Sequence, residues 1–221
     1  MINNIFIFGD IHGCCLTFRT LFEKCEIEKQ DSVYLLGDYI DRGPESKQTL
    51  DYIFNLILEG YNIYPIKGNH EQMFLDSLIS KENEYSWRFI NGGEITLFSF
   101  KVKSPTEIPS IYLNWISSLP FYYELENYVV VHAGLNFHKD NPFEDTDAML
   151  WTRDRYYDKS KLNKKIIVGH TPKPLDIIEV SLQDNIIYLD GGCVYHNNTQ
   201  LGNLCALELP KMKLHSQHYL E

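Results

Sequence analysis

The feature that most restricts the fold of this 221-residue chain is a short apolar run that ends in glycine and a polar residue. Three such runs open the sequence: residues 5–8 before Gly9-Asp10, residues 33–36 before Gly37-Asp38, and residues 63–66 before Lys67-Gly68-Asn69. Short apolar runs bounded by turn residues are typical of buried strands. Apolar residues at helical spacing separate the runs, first over residues 15–25 and again from Gly43-Pro44 to Gly60. Alternating strands and helices predict an α/β fold with at least partly parallel strands.

The second half of the chain contains further strand-like segments. Residues 71–119 show no clear strand pattern, and Leu113, Trp115, Ile116 and Leu119 indicate a helix near the end of that region, after a loop around Ser104-Pro105. Strands are predicted at residues 122–125, 128–131, 166–168, 177–180, 186–189 and 204–209. The two strand-rich halves predict two packed sheets with helices outside, in one domain spanning residues 1–221. Leu220-Glu221 matches the remnant of an expression tag and receives no functional weight.

Charge and cysteine content restrict the setting in which the protein works. The formal net charge is −10, from 20 Lys+Arg and 30 Asp+Glu. Nucleic-acid binding requires a basic surface, so this composition argues against it. Five cysteines with no Cys-x-x-Cys pair argue against a disulfide framework and favour a reduced, cytoplasmic environment. The N-terminus lacks a basic region of the signal-peptide kind, and no apolar stretch approaches the roughly 20 residues of a membrane span, so no membrane association is expected.

Residues able to bind metal recur directly after the predicted strands. They are Asp10, His12, Asp38, Asn69, His70, His132 and His170. A single Asp or His at a strand end is usually a turn or cap residue, but these cases are correlated, and loops at the carboxyl ends of strands converge on ligand sites in α/β folds. Burying such groups together is costly unless a cation offsets the charge. Carboxylate, imidazole and amide ligands suit Mn²⁺, Fe or Zn²⁺, with Mn²⁺ preferred here.

The segments around these residues resemble the motif set of the phosphoprotein phosphatases. GDIHG (9–13), GDYIDRG (37–43), GNHE (68–71), HAG (132–134) and GHT (169–171) occur in the family's order, and the segment 189–195 resembles its closing part. The chain is especially similar to the bacterial and bacteriophage-type serine/threonine phosphatases of the calcineurin-like metallophosphoesterase superfamily. The resemblance implies a four-layer fold, two mixed β-sheets sandwiched between helices, with two metal ions at the carboxyl edge of the sheets.

The resemblance also implies a role for each motif residue. Asp10 and His12 match ligands of the first metal, Asp38 matches the carboxylate shared by both metals, and Asn69, His132 and His170 match ligands of the second. A water shared by the metals would attack phosphorus, His70 would act as the general acid, and Asp41 would orient His70. Phosphate would be bound by Arg42, by Asn69, and by Arg153 in the short match Trp151-Thr152-Arg153. The alternatives are a structural role for His70 and a surface ion pair of Arg153 with Asp154 or Asp158.

Three functions are compatible with these motifs. The preferred one is a serine/threonine protein phosphatase acting on a phosphoprotein or a small phosphorylated substrate. The second is a symmetrical dinucleoside tetraphosphate hydrolase, since that bacterial family shares much of the motif set. The third is a catalytically silent scaffold, which the complete set of motif residues argues against. Lys67, where many eukaryotic members have arginine, and the short chain imply no regulatory subunit.

Overall fold

The computed structural model of the chain describes residues 3–221. Its strands are β1 (Ile5–Phe8), β2 (Ser32–Leu35), β3 (Asn62–Pro65), β4 (Tyr122–Glu124), β5 (Tyr128–Val131), β6 (Lys165–Val168), β7 (Ile186–Tyr188), β8 (Asn203–Leu209) and β9 (Lys213–His218). Its α-helices are α1 (Cys15–Lys24), α2 (Ser46–Leu58), α3 (Asn69–Ser77), α4 (Lys81–Tyr85), α5 (Gly93–Phe100), α6 (Ser110–Ser118), α7 (Thr146–Trp151) and α8 (Leu175–Ser181). The predicted α/β class with two mixed sheets is confirmed.

The first sheet has five strands in the order β3-β2-β1-β8-β9. β1 runs parallel to β2, and β2 runs parallel to β3, whereas β8 pairs antiparallel with β1 and with β9. The expectation that each half of the chain forms its own sheet is therefore wrong for β8, which returns to the first sheet. β9 was not predicted because its sequence, KLHSQH, is mostly polar, as suits a half-buried strand at the edge of a sheet.

The second sheet has four strands in the order β4-β5-β6-β7. β4 is antiparallel to β5, and β5, β6 and β7 are parallel. Side chains alternate between the faces: Val130 and Ile167 join a buried cluster with Ile7 of the first sheet, while Val131 and Val168 lie in another cluster. Because both faces of the sheet are buried at β5 and β6, these strands have apolar residues at successive positions rather than at alternate ones.

The predicted strand at residues 177–180 is wrong, because these residues belong to helix α8. Pro174 precedes the first turn of the helix, a position where its missing N–H carries no penalty. Ile178 is fully buried, whereas Ile177 and Val180 are 44% and 69% exposed, which is the burial pattern of a helix face. Over four apolar residues, sequence periodicity does not separate a strand from a helix.

Residues 69–118 form a helical region, α3 to α6, beside the first sheet. The expected helix near residues 113–119 is α6, and the expected loop contains a 3₁₀ turn at Pro105–Glu107. Between α4 and α5 the chain makes a π-helical turn, Ser86–Ile90. Such turns are rare and often occur at functional sites. Within residues 3–221, no helix has both the length and the apolar character needed to cross a bilayer.

Glu221, to which the sequence assigned no function, contacts helix α1. Its carboxylate accepts hydrogen bonds from the backbone N of Thr17, at 2.9 Å, and from the Thr17 hydroxyl, at 2.7 Å. Thr17 lies in the first turn of α1, where free N–H groups favour an anion. The last residue of the chain therefore caps the first helix.

Candidate active site

The carboxyl ends of the parallel strands bring the predicted metal-ligating residues together. Asp10 and His12 follow β1, Asp38 follows β2, Asn69 and His70 open α3 behind β3, His132 follows β5, and His170 follows β6. Each of these side chains is at most 9% exposed. Both sheets contribute residues, so the site lies where the two sheets meet at one edge.

Asp38 lies at the centre of this group. Its Oδ2 is 3.4 Å from Nε2 of His12 and 3.5 Å from Nε2 of His132. Its Oδ1 accepts a hydrogen bond from the backbone N of His70 at 3.0 Å. The carboxylate thus faces one histidine from each sheet, the placement expected of a ligand shared by two cations.

Asn69 brings the second group of candidate ligands together. Its Oδ1 lies 2.8 Å from Nε2 of His132 and 3.0 Å from Nδ1 of His170. Ligand atoms of Asp38, His132 and His170 all lie within 4.8 Å of one another, and so do those of His12, Asp38 and His70. The two groups share Asp38, which fits a dinuclear centre. His70 lies in the group with His12 by distance, although its predicted role is that of the general acid.

Unpaired polar atoms give an independent test of metal binding. Asp10 Oδ1, His70 Nε2 and His170 Nε2 are buried and have no hydrogen-bond partner among residues 3–221. Buried polar atoms are normally paired, and isolated exceptions need an explanation. The other Asp10 oxygen accepts a hydrogen bond from the backbone N of His170 at 2.9 Å, which anchors the carboxylate beside the second sheet. Oxygen and nitrogen donors of this kind fit the divalent transition metals.

Burial sets the protonation state of these side chains. It raises the pKa of Asp10 well above the usual range, lowers the pKa of His12 well below it, and lowers the pKa of His170 to about 3. For Asp38 burial acts against ionisation, but His132 and the other nearby histidines hold its carboxyl pKa below the usual range. The neutral imidazoles and the ionised Asp38 carboxylate are forms that bind metal, whereas the raised pKa of Asp10 favours its neutral form unless a cation offsets the buried charge.

Several candidate residues also have a strained backbone. Five non-glycine site residues have positive φ: His12 (47°), Asp38 (52°), Asp41 (70°), Arg42 (68°) and His170 (65°). L-residues rarely adopt this conformation, and each instance costs on the order of 1–3 kcal/mol. The surrounding fold therefore forces these side chains into the site at the expense of local stability.

A pocket of about 260 Å³ opens onto these residues and contains both predicted phosphate-binding arginines, Arg42 and Arg153. Nη1 of Arg42 is 2.9 Å from Nε2 of His12, and its guanidinium lies 5.8 Å from the ring centroid of Tyr195. Asn91 and Trp151 complete the rim. The pocket has the size and charge to hold a phosphoryl group.

Arg153 forms neither of the ion pairs proposed as the alternative for it within residues 3–221. The carboxylate of Asp154 instead pairs with His138 at 2.8 Å, and Asp158 accepts a hydrogen bond from the Ser160 hydroxyl at 2.6 Å. The guanidinium of Arg153 is left facing the pocket.

His70 and Asp41 form a fully buried pair. Nδ1 of His70 lies 2.7 Å from Oδ2 of Asp41. Burial lowers the pKa of His70, but the charges of Asp38 and Asp41 outweigh this effect and raise it overall. One ring nitrogen of His70 lies within 4.8 Å of ligand atoms of His12 and Asp38. Because Nδ1 contacts Asp41, Nε2 is left without a hydrogen-bond partner among residues 3–221 and is the nitrogen free to give a proton. This is the arrangement expected of a general acid oriented by a carboxylate.

Two supporting residues were missed from the sequence. Glu71, the last residue of the GNHE motif, accepts hydrogen bonds from the backbone N of Asp38 (2.8 Å), Tyr39 (2.8 Å) and Gly68 (2.9 Å). It therefore holds the loop that carries Asp38 against the start of α3. Its place in the motif was a signal for this role, but backbone contacts are not readable from residue type.

Arg155 is the second missed residue. Its Nη1 donates to the carbonyl of Ala133 at 3.2 Å, and its Nη2 donates to the Thr171 hydroxyl at 3.1 Å. These residues directly follow His132 and His170, so one guanidinium links the two loops of the second sheet that carry site histidines. Arg153, two residues earlier, was predicted from the sequence instead.

A two-sheet α/β fold with clustered Asp, Asn and His side chains where both sheets end defines the class of metal-dependent phosphoesterases. Family comparison agrees with this class. The model for calcineurin-like phosphoesterases matches residues 4–211, and the chain belongs to that family. Hydrolysis of phosphoesters is the chemistry that the family suggests.

Similar proteins of known name fall into two groups. The bis(5'-nucleosyl)-tetraphosphatase PrpE [asymmetrical] of Geobacillus sp. (strain WCH70) is 26% identical, over 94% of this chain and 91% of its own length. The serine/threonine-protein phosphatase 1 of Salmonella typhimurium is 28% identical, over 91% of this chain and 92% of its own length. A symmetrical tetraphosphatase of Vibrio vulnificus is 29% identical, over only 59% of this chain and 44% of its own length.

Solved structures support the fold alone. A structure described as a candidate diadenosine tetraphosphatase matches with a TM-score of 0.72 and 20% identity, over 99% of this chain and 95% of its own. A cold-active protein-tyrosine phosphatase from a psychrophilic Shewanella matches with a TM-score of 0.64 and 17% identity, over 99% of this chain and 81% of its own.

Proposed function

We propose that this protein is a phosphoprotein phosphatase that hydrolyses phosphoserine and phosphothreonine. The observation that carries this proposal is the groove of about 670 Å³ that shares Pro172 and Tyr195 with the phosphate pocket. Its walls are uncharged, formed by Pro172, Val194, Tyr195, Asn197, Asn198 and Leu201. An open, uncharged, partly apolar groove beside a phosphate pocket suits a polypeptide, whose flanking residues need surface contacts rather than charge compensation.

The distribution of cations favours the same substrate class. Among the described residues, Arg42 and Arg153 are the only Lys or Arg side chains that line the phosphate pocket. None lines the adjoining groove. Two arginines beside the candidate metal ligands suffice to bind the oxygens of one phosphoryl group. A tetraphosphate chain carries about twice that charge, and further anionic phosphates would lie along walls with no positive side chain, on a protein of net charge −10.

The chemistry divides among the residues of the site. Two cations bound by the Asp, Asn and His cluster would lower the pKa of a water and neutralise charge on the phosphoryl group. Arg42 and Arg153 bind the phosphoryl oxygens and offset the charge that develops in the transition state. His70 gives the proton on Nε2 to the oxygen of the leaving serine or threonine, while Asp41 holds the ring.

The second candidate function is hydrolysis of dinucleoside tetraphosphates. The near full-length similarity to PrpE proteins favours it, and those relatives are named for asymmetrical cleavage. The symmetrical form, which was the alternative predicted from the motifs, has relatives that match a smaller share of this chain. Asymmetrical cleavage releases a nucleoside triphosphate and monophosphate, whereas symmetrical cleavage releases two diphosphates, so the products separate the two forms.

A panel of substrates tests the proposal. We expect the Mn²⁺-loaded enzyme to show a higher kcat/KM for phosphoserine and phosphothreonine peptides than for diadenosine tetraphosphate. Leu201→Asp should raise KM for a phosphopeptide and leave KM for p-nitrophenyl phosphate unchanged, because only the peptide reaches the groove. Leu58→Asp is the matched control, since Leu58 is 83% exposed at the C-terminal end of α2, away from the site. Faster tetraphosphate hydrolysis with no peptide turnover would establish the second candidate instead.

Arg42 supplies a separate prediction. Arg42→Ala should raise KM, lower kcat and weaken inhibition by inorganic phosphate by about 10- to 100-fold, since a hydrogen bond to a charged group is lost. Arg42→Lys should restore only part of this, because an ammonium does not form the same paired hydrogen bonds. Arg19 also stacks on a tyrosine, Tyr52, at 5.4 Å, so Arg19→Ala serves as the control in inhibition assays. Unchanged phosphate inhibition in Arg42→Ala would place this arginine outside the substrate site.

A further inference from the structure

The FINGG segment at residues 89–93 and the helices around it have no role in the functions described so far. Three of their features converge on the GDYIDRG loop. Trp87 lies in the π-helical turn, Gly92 accepts a hydrogen bond on its carbonyl from the backbone N of Arg42 at 3.3 Å, and Thr96 lies in α5. The helical region therefore contacts the loop that carries Asp41.

The carboxylate of Asp41 has a partner on each oxygen from this region. Trp87 donates its indole Nε1–H to Oδ2 at 2.9 Å, the same oxygen that contacts His70. Thr96 donates its hydroxyl to Oδ1 at 2.7 Å. Asp41, His70, Trp87 and Thr96 are all at most 1% exposed, so solvent does not compete for these bonds. With both oxygens bound, the carboxylate has one orientation toward His70.

Thr96 also fixes the backbone of Asp41. The N–H of Asp41 lies 2.9 Å from the Thr96 hydroxyl oxygen and 3.1 Å from the Ser46 hydroxyl. Since the single Thr96 proton is donated to the carboxylate, the Ser46 hydroxyl donates to Thr96 across their 3.0 Å contact. Thr96 thus binds both the backbone N–H and the side-chain carboxylate of Asp41, whose φ of 70° is strained.

The packing of Trp87 against Gly93 supports this arrangement. A Cβ on Gly93 would lie 2.3 Å from Cε2 of Trp87, so the indole occupies the space that a side chain at position 93 would need. The extra residue in the turn and the glycine together let a large buried ring place its N–H on Asp41. Arg88, the next residue, forms ion pairs with Glu84 at 2.9 Å and with Glu94 at 2.8 Å, so it takes no part in this network.

We propose that Trp87 and Thr96 are positioning residues of the general acid: they fix the Asp41 carboxylate, and through it the ring of His70. This inference rests on the role of His70 in the proposed function and assigns a purpose to the helical region between β3 and β4.

The test compares leaving groups across matched threonine variants. Thr96→Val keeps the shape of the side chain and removes the hydroxyl, and Thr49→Val makes the same change at a fully buried threonine of α2 that takes no part in this network. We expect Thr96→Val to lose roughly tenfold in single-turnover rate on an alkyl phosphate, a fraction of the about 10²–10⁴-fold contribution of a general acid. Aryl phosphate hydrolysis and bound metal should stay near the wild-type value, and Thr49→Val should behave as wild type on both substrates.

A double-mutant cycle completes the test. In a His70→Asn background, Thr96→Val should have no further effect on the alkyl phosphate, because the group it positions is absent. Trp87→Phe should show the same leaving-group bias and the same dependence on His70. Equal losses on both phosphates, or full additivity with His70→Asn, would overturn the positioning role. Absence of alkyl phosphate hydrolysis in the wild-type enzyme would instead overturn the proposed function, so the two failures are distinguishable.

Discussion

Replacing Asp38 with asparagine is expected to nearly abolish turnover. Asp38 Oδ2 lies between His12 and His132, so its charge is the one shared by both candidate metal positions. Asparagine keeps the acceptor for the backbone N of His70 but removes the charge between two cations. We expect at least about a 10³-fold loss of kcat/KM, since two-metal catalysis depends on both ions. Metal affinity should also fall, by more than the roughly 10–100-fold loss that is typical when a residue hydrogen-bonded to a metal ligand is removed.

The same strand supplies the control for this experiment. Asp31 lies just before β2 and Asp38 just after it, and both are buried, at 4% and 2% exposure. Asp31 also accepts hydrogen bonds from backbone groups, those of Asn4 and Glu28, each at 2.9 Å. Asp31→Asn should therefore leave metal content and rate unchanged. Metal analysis of the two purified variants decides the matter, and a fully active Asp38→Asn enzyme would remove the dinuclear interpretation.

Replacing His70 with asparagine should lose far more rate on a phosphoserine peptide than on p-nitrophenyl phosphate. A serine alkoxide is a poor leaving group and needs protonation, whereas nitrophenolate leaves without help. The loss should be about 10²–10⁴-fold for the peptide and within about tenfold for the aryl phosphate. Asp41→Asn should show the same bias more weakly, because it disturbs the acid without removing it. Single-turnover rates are the appropriate measurement, since they report the chemical step.

His215 offers a matched histidine for this comparison. It is paired with a carboxylate, Glu208, at 3.0 Å, and its side chain is 8% exposed, but it lies on β9, outside the site. His215→Asn should change both rates by the same small factor. Bound metal should stay near the wild-type value in His70→Asn, because Nδ1 is committed to Asp41 and the proposed role is proton donation. A metal loss that explains the whole rate loss would make His70 a ligand instead.

The grouping of the candidate site residues could be predicted, because chemistry that needs several residue types places them in fixed motifs. Asp10, Asp38 and His132 each follow a strand that apolar runs mark clearly, and the fold brings such strand ends together. The motif order then limited the roles of the residues. Asp38, for example, lies 3.4 Å from His12 and 3.5 Å from His132, as the motifs predicted for a shared ligand.

What was missed depends on packing rather than on residue type. Trp87 and Thr96 are ordinary helix residues until the π-helical turn and the contact with Gly93 place them on Asp41. Arg153 and Arg155 are two residues apart in the segment WTRDR. Only the path of the backbone determines that Arg153 lines the pocket whereas Arg155 links two loops. Similarly, the return of β8 to the first sheet depends on long-range pairing that local patterns do not encode.

The pairing of β1 with β8 has a consequence for how the chain reaches its native state. Phe8, in β1, has Ala206 as one neighbour in the sheet, almost 200 residues later in the chain. A nascent chain that has completed β1, β2 and β3 therefore still presents an open strand edge and an apolar sheet face. Contacts of such large sequence separation slow folding, and open edges favour intermolecular pairing in the meantime. The yield of soluble protein should thus depend on how quickly the C-terminal hairpin arrives, and substitutions in β8 should lower that yield more than the activity of the molecules that do fold.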